Sequence, residues 1–260
     1  MNPIIRKELH LHMRMQRGWW LLGLYLFALC GTVTLVYYNS AMNAGRGNPV
    51  GAVVGTNVFH TVVLTQLVVL LFLAPVFSAG SLTIEKEQRT LAGLLTSLLS
   101  PFEIWWGKYA ASLLYLGLLL FSSLPILSVA VVLGGIGPLE VLAAFGVTAL
   151  LLASICSIGL YFSSFFRRSV HSTALTYGLL LATHILSFVA FAFLEPSLAE
   201  AGFSWKKMPL LLNTFSCMMS VLGIEDFGWK WIWLASLLSF AALGVTASLL
   251  ASRNLRRSEG

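Results

Sequence analysis

The chain has 260 residues, of which 58% are hydrophobic and only 10% are charged, and its formal net charge is +6. A soluble domain carries about 25% charged residues, so this composition excludes an ordinary soluble protein and favours a membrane protein. The basic residues do not form one continuous stripe, which argues against a nucleic-acid partner. The three cysteines lack metal-ligand spacing, so neither a disulfide framework nor a metal site is expected.

The first residues, MNPIIRKELHLHMRMQRG, mix basic and apolar side chains. This pattern predicts an amphipathic helix over residues 1–18 that lies along the membrane surface. Its histidines and methionines are better explained by interfacial packing than by copper binding. The apolar run that follows is longer than the core of a signal peptide, so we do not expect cleavage.

A membrane-spanning helix needs about 20 largely apolar residues. Six stretches meet this requirement, which predicts an all-α polytopic protein with a single transmembrane domain over residues 1–260. The predicted spans are residues 19–38, 58–79, 104–133, 139–165, 172–194 and 229–251. A shorter apolar run, residues 208–222, lies in the long outer loop 195–228 and predicts a re-entrant or interfacial helix.

Lysine and arginine indicate the orientation, because cytoplasmic loops carry an excess of them. With six spans and a cytoplasmic N-terminus, most of the 16 basic residues fall on the cytoplasmic face. Only Arg46, Lys206, Lys207 and Lys230 fall on the other face. We therefore expect a multi-pass protein of a prokaryotic inner membrane with both termini in the cytoplasm.

The charged residues fall in loops or at helix ends, whereas ion-driven transporters carry charged groups inside the membrane. The sequence also lacks a phosphate-binding loop, a metalloprotease motif and a nucleophile elbow. We therefore expect no catalytic residue, no metal site and no cofactor on this chain. Any work driven by ATP requires a partner that hydrolyses it.

Between the second and third predicted spans lies SLTIEKEQRTLAGLLTSLLSPFEIWWGKYA, residues 81–110. Apolar residues recur at helical spacing over residues 84–99, acidic residues occupy the first turn, and Ser100-Pro101 ends the pattern. This predicts a short amphipathic helix over residues 84–99, parallel to the membrane at its inner face. An interfacial helix without a partner has the same pattern, so both interpretations stay open.

The stretch EKEQRTLAGLLTSLLSPFEIWWGK closely resembles the cytoplasmic coupling segment of ABC-2 type transporter permeases, and MNPIIRKELHLHMR resembles the N-terminal connecting helix of that family. The resemblance implies two membrane subunits, identical or different, and two docked ATPase subunits that bind the ATP and Mg²⁺. Arg89 stands where many members have glycine, which we expect to leave the helix intact. The residues to which the resemblance assigns ATPase coupling are Glu85, Lys86, Glu87, Arg89, Thr90, Leu94 and Leu95.

In that family the second and fifth spans border the central pathway. The polar residues that this implies for a substrate pathway are Asn57, Thr61, Thr65, Thr176, Tyr177 and His184. The same side chains could instead hold the helices together. The resemblance favours the permease of an ABC exporter. A non-transporting membrane subunit that transmits ATPase closure to an outer partner is the main alternative, and a secondary transporter is disfavoured by the missing intramembrane charges.

Overall fold

The computed structural model describes Ile5, Glu8 and residues 16–44, 50–90, 100–197, 210–224 and 232–257. These ranges are almost entirely helical and contain no strand. In chain order the helices are α1 Gln16–Ala44, α2 Val50–Ala79, α3 Thr83–Glu87, α4 Pro101–Ser122, α5 Leu124–Leu133, α6 Pro138–Phe165, α7 Ser169–Ser197, α8 Thr214–Val221 and α9 Ile232–Arg257.

The described residues contain six helical stretches that are long and apolar enough to cross a membrane, which confirms the six predicted spans and the all-α fold class. They are Gly18–Ser40, Val53–Glu87, Phe102–Leu133, Pro138–Phe165, Ser169–Phe193 and Trp233–Asn254. Most of the N-terminal helix predicted over residues 1–18 lies outside the described residues, although Ile5 and Glu8 are both helical. That helix therefore stays a prediction.

The third span, predicted over residues 104–133, consists of two helices that meet at Ser123. Helix α4 ends at Ser122 and α5 begins at Leu124, with Pro125 in its first turn. Proline has no N–H to continue the ladder of α4, and its ring crowds the preceding turn. The Ser123 hydroxyl donates to the Leu120 carbonyl at 2.7 Å and satisfies one of the freed acceptors.

Helices α2 and α6 form the centre of the bundle. About half of each span is buried, and α6 packs against α2, α4, α7, α8 and α9. Gly159 of α6 allows a close approach to α2, because a Cβ there would meet the Ser78 hydroxyl at 2.1 Å. Small residues at such crossings let helix backbones approach closely inside a membrane, where van der Waals packing and interhelical hydrogen bonds hold the helices together.

Helix α8 lies within the bundle rather than on its surface. The Leu211 carbonyl, just before α8, accepts a hydrogen bond from Ser239 Oγ at 3.0 Å. Ser239 is seven residues into α9, about 10 Å from its start. Asn213 caps α8 through Phe215 N and also donates to Ser187 Oγ of α7 at 3.0 Å. Residues 208 and 209 lie outside the described residues, and both placements predicted for residues 208–222, re-entrant and interfacial, stay predictions.

Candidate functional site

Basic side chains gather at one end of the bundle, where α2, α6 and α9 end and α4 and α7 begin. This basic end carries Lys86, Lys108, Arg167, Arg168 and Arg253. An apolar cluster closes the bundle at the same level and consists of Leu82, Ile104, Trp105, Leu160 and Ala251. The short helix α3 follows Leu82 directly and carries Glu85, Lys86 and Glu87 in succession.

Glu85 belongs to a buried charge cluster around Lys108 of α4. Lys108 Nζ donates to Glu8 Oε1 at 2.8 Å and to the Ser81 carbonyl at 2.8 Å, and lies 3.4 Å from Glu85 Oε1. Glu85 also accepts a hydrogen bond from the Thr90 hydroxyl. Lys108 is 2% exposed and Glu85 8% exposed, so both charges depend on these partners rather than on water.

Lys86 binds the carboxyl end of α6. Its Nζ donates to the carbonyls of Ser163, Ser164 and Phe166 at 3.0, 2.5 and 2.9 Å. Carbonyls at a helix C-terminus lack intrahelical donors, and the helix dipole makes this end negative, so a lysine there is favourable. The Ser163 hydroxyl completes the contact, because it accepts hydrogen bonds from the Leu82 and Thr83 amides at 2.9 and 3.0 Å.

Glu87 binds the amino end of α7. Its Oε1 accepts a hydrogen bond from the Ser169 amide at 2.6 Å, at the first residue of that helix. The carboxylate is exposed, so it is also accessible from outside the subunit. A negative charge at a helix N-terminus satisfies a free amide and interacts favourably with the helix dipole.

The three consecutive charges of α3 therefore contact three different spans. Glu85 is linked to α4 through Lys108, Lys86 to the end of α6, and Glu87 to the start of α7. These hydrogen bonds and ion pairs tie α3 to the basic end of the bundle.

The single helix predicted over residues 84–99 is wrong at Arg89. Helix α3 ends at Glu87, and Arg89 has a φ of 58°, in the left-handed region. The Arg89 amide donates to the Lys86 carbonyl at 3.2 Å and the Thr90 amide to the Glu85 carbonyl at 3.0 Å. These two bonds form a Schellman motif, in which the left-handed position is usually glycine.

The end of α8 provides a direct comparison. Gly223 has a φ of 65°, the Gly223 amide donates to the Ser220 carbonyl, and the Ile224 amide donates to the Met219 carbonyl. The same motif therefore occurs twice, once with glycine and once with arginine. The glycine that many members of the resembled family have at the position of Arg89 was the available signal for this turn. Leu94 and Leu95 lie outside the described residues.

The residues predicted for a substrate pathway are divided between two environments. Tyr177 and His184 of α7 line a side-open cavity with an empty volume of about 460 Å³. The rest of the lining is apolar and comes from α2, α7 and α8: Val68, Leu71, Phe72, Leu180, Leu181 and Phe215. The Tyr177 hydroxyl donates to the Phe72 carbonyl, and the two ring nitrogens of His184 lie 2.6 Å from the Leu180 carbonyl and Thr214 Oγ1.

The other predicted pathway residues do not line this cavity. Thr176 is buried and its hydroxyl donates to the Ser172 carbonyl at 2.8 Å. Asn57 is exposed on α2, Thr61 donates to the Asn57 carbonyl at 2.8 Å, and Thr65 is half-buried. The structure thus brings Tyr177 and His184 together, while these four residues lie elsewhere on α2 and α7. Their role in a pathway stays a prediction.

Sequence reasoning missed the partners of the coupling residues. Lys108, Glu8, Ser163 and Ser169 complete the contacts of α3, yet none had been assigned a role there. Lys108 was visible only as part of the Gly-Lys pair in the resembled segment. Contacts between residues 77 to 82 positions apart, such as those of Lys86 and Glu87, leave no local pattern in the sequence.

The fold and the charged end together define a polytopic helical membrane protein. The sequence model of the family described as ABC-2 family transporter protein matches residues 2–223, which is most of the chain. The chain therefore belongs to the ABC-2 transporter family, as its coupling-like segment had indicated. No curated protein matches it significantly.

Proposed function

We propose that the chain is the permease subunit of an ABC exporter in a prokaryotic inner membrane, and that a separate ATPase subunit docks on its basic end. Membership of the ABC-2 transporter family supports a membrane subunit of this class. The positive-inside rule then directs the basic end to the cytoplasm. ATP and Mg²⁺ belong to the ATPase, and a second permease subunit completes the transporter.

The contacts of α3 carry this proposal. Three successive charged residues tie a five-residue helix to α4, α6 and α7. A docked ATPase that moves α3 would therefore act on three spans at once. Helix α7 also packs on α2 along the apolar cavity, so the proposed docking end and the proposed pathway are joined by one helix.

In this proposal, the residues that contact the ATPase differ from the residue that transmits its movement to the spans. Ile84, Glu87, Gln88 and Arg89 are exposed and form the surface that a partner would meet. Glu85 is buried and its partners lie inside the subunit, so it transmits the displacement rather than contacting the ATPase. Charged residues at the rim of such an interface set its orientation and association rate.

Co-expression with the ABC ATPase encoded nearest to this chain's gene tests the proposal. We expect the two proteins to co-purify, and ATP hydrolysis in nanodiscs to require the ATPase and to change when the permease is present. The purified chain alone is the control and should hydrolyse no ATP. Hydrolysis by the chain alone, or failure of every ATPase of the same genome to co-purify, would contradict the proposal.

A further inference from the structure

The bundle has a second concave surface, which shares no lining residue with the α2–α7 cavity. This groove has an empty volume of about 740 Å³ and is bounded by α4, α6 and α9. One wall is aromatic and consists of Phe102, Trp105, Trp106 and Tyr109. The facing walls consist mainly of small residues: Leu150, Ala153, Ser154, Ser157, Ala241, Gly244, Val245 and Ser248.

The groove lies in the half of the membrane nearest the basic end. Its residues on α4 extend from Phe102 to Tyr109, which is about 10 Å along a helix that starts at Pro101. Half of the hydrocarbon core is about 15 Å thick, so the groove fits within one leaflet. A second depression, lined by α4 residues from Trp106 to Phe121, shares Trp106 and Tyr109 and continues the groove toward the membrane centre.

The lining is mostly apolar, and the indole N–H of Trp105 is buried in it without a hydrogen-bond partner among the described residues. The hydroxyls of Ser154, Ser157 and Ser248 donate to carbonyls of their own helices at 3.0, 3.0 and 2.7 Å. The Tyr109 hydroxyl donates to the Ala153 carbonyl at 3.2 Å. A mostly apolar groove that follows the helix axes within one leaflet suits a phospholipid acyl chain.

The last turn of α9 adds positive charge at the headgroup level. It carries Arg253, Arg256 and Arg257, a few residues beyond Ser248 at the end of the groove. Arg256 is eight residues after Ser248, which places the two positions within about 80° of each other around the helix. Basic residues beside a groove between membrane helices attract anionic lipid headgroups.

We propose that the groove between α4, α6 and α9 binds one anionic phospholipid from the leaflet at the basic end, with an acyl chain in the groove and the phosphate at the level of the last turn of α9. This site is separate from the α2–α7 cavity and does not depend on the proposed transport function. Helix α4 also carries Lys108, which contacts Glu85 of α3. A lipid bound in the groove would therefore stabilise the helix to which α3 is linked.

Lipid retention measures the site directly. The purified full-length chain is reconstituted into nanodiscs with equal amounts of phosphatidylcholine and phosphatidylglycerol, extracted into detergent and examined by native mass spectrometry. We expect retention of one phosphatidylglycerol per chain. Ser248→Phe should lower retention about tenfold, since a ring in the groove displaces about two methylene groups of the acyl chain. Leu250→Phe, which adds a ring at a neighbouring exposed position outside the groove, should have no effect.

The headgroup is tested by replacing both Arg253 and Arg256 with glutamine, which should lower phosphatidylglycerol retention about tenfold. Equal retention of the two lipids, or equal losses in the Ser248→Phe and Leu250→Phe variants, would overturn the proposal. A photoactivatable phosphatidylglycerol tests the wild-type chain, so the result does not depend on a variant that folds. Crosslinks on α4 and α9 at the groove support the site, whereas crosslinks between two copies of the chain at this face would refute it.

Discussion

Lys108 of α4 forms an ion pair with Glu8, and the distance from Lys108 Nζ to Glu8 Oε1 is 2.8 Å. The two residues are 100 positions apart in the chain. Lys108 is 2% exposed, so solvent and salt screen this pair only weakly. The same amine also contacts Glu85 of α3. The N-terminal segment and α3 therefore share one buried cation, and a movement of either changes the surroundings of the other.

Replacing Lys108 with methionine should cost about 3–5 kcal/mol of unfolding free energy, because two carboxylates lose their common cation in a buried position. Unfolding in mixed detergent micelles, followed by circular dichroism, measures the change. Adding Glu85→Gln to Lys108→Met should restore part of the loss, since one uncompensated charge is removed. A loss no larger than that of Arg253→Met, at an exposed position, would show that the cluster does not stabilise the bundle.

Replacing Glu87 with glutamine should weaken coupling to the ATPase while leaving the fold intact. Its bond to the Ser169 amide is exposed, so water screens the interaction and its loss should change the stability of the fold little. Co-purification with the ATPase and ATPase turnover in nanodiscs measure the effect. Glu85 is less suitable for this test, because its burial beside Lys108 makes a loss of stability the expected result.

Glu140→Gln is the matched control for Glu87→Gln. Glu140 is also an exposed carboxylate at a helix N-terminus and accepts from the Gly137 amide at 3.2 Å, but it lies at the opposite end of the bundle. We expect it to lose similar stability and no coupling. Equal coupling defects in the two variants would refute a docking role for the surface around Glu87.

Replacing Arg89 with glycine should stabilise the protein or leave its stability unchanged. A side chain in the left-handed region costs roughly 1–2 kcal/mol, and the greater freedom of glycine in the unfolded chain returns roughly 0.5–1 kcal/mol of that. Gly223→Ala, at the equivalent position after α8, should destabilise the protein, and thermal unfolding compares the two variants. A marked loss in Arg89→Gly would show that the arginine side chain itself holds the turn.

The orientation is tested by cysteine labelling in a background without Cys30, Cys156 and Cys217. With six spans and a cytoplasmic basic end, a cysteine at Ser204 should react with a membrane-impermeant reagent in whole cells. A cysteine at Ser258 should react only after the cells are opened. Labelling of a cysteine at Ser258 in whole cells would contradict the proposed orientation, because the docking surface would then face away from the cytoplasm.

The six spans were predictable from the sequence, because a run of about 20 apolar residues is long and apolar enough to cross the hydrocarbon core of a bilayer. The sequence also located the charged segment between the second and third spans and, through the resemblance, indicated the family that the comparison confirmed. These properties are local: each depends on the residues of one segment and on the solvent around it.

The contacts of Glu85, Lys86 and Glu87, in contrast, depend on the folded arrangement of the helices. Read alone, these residues are the polar face of a helix, and the sequence had extended that helix through Arg89 because helical spacing continues past it. In the folded chain their partners are Lys108, the Ser163 carbonyl and the Ser169 amide. Which charges become buried depends on how α3 packs against three distant helices, and no local periodicity encodes that packing.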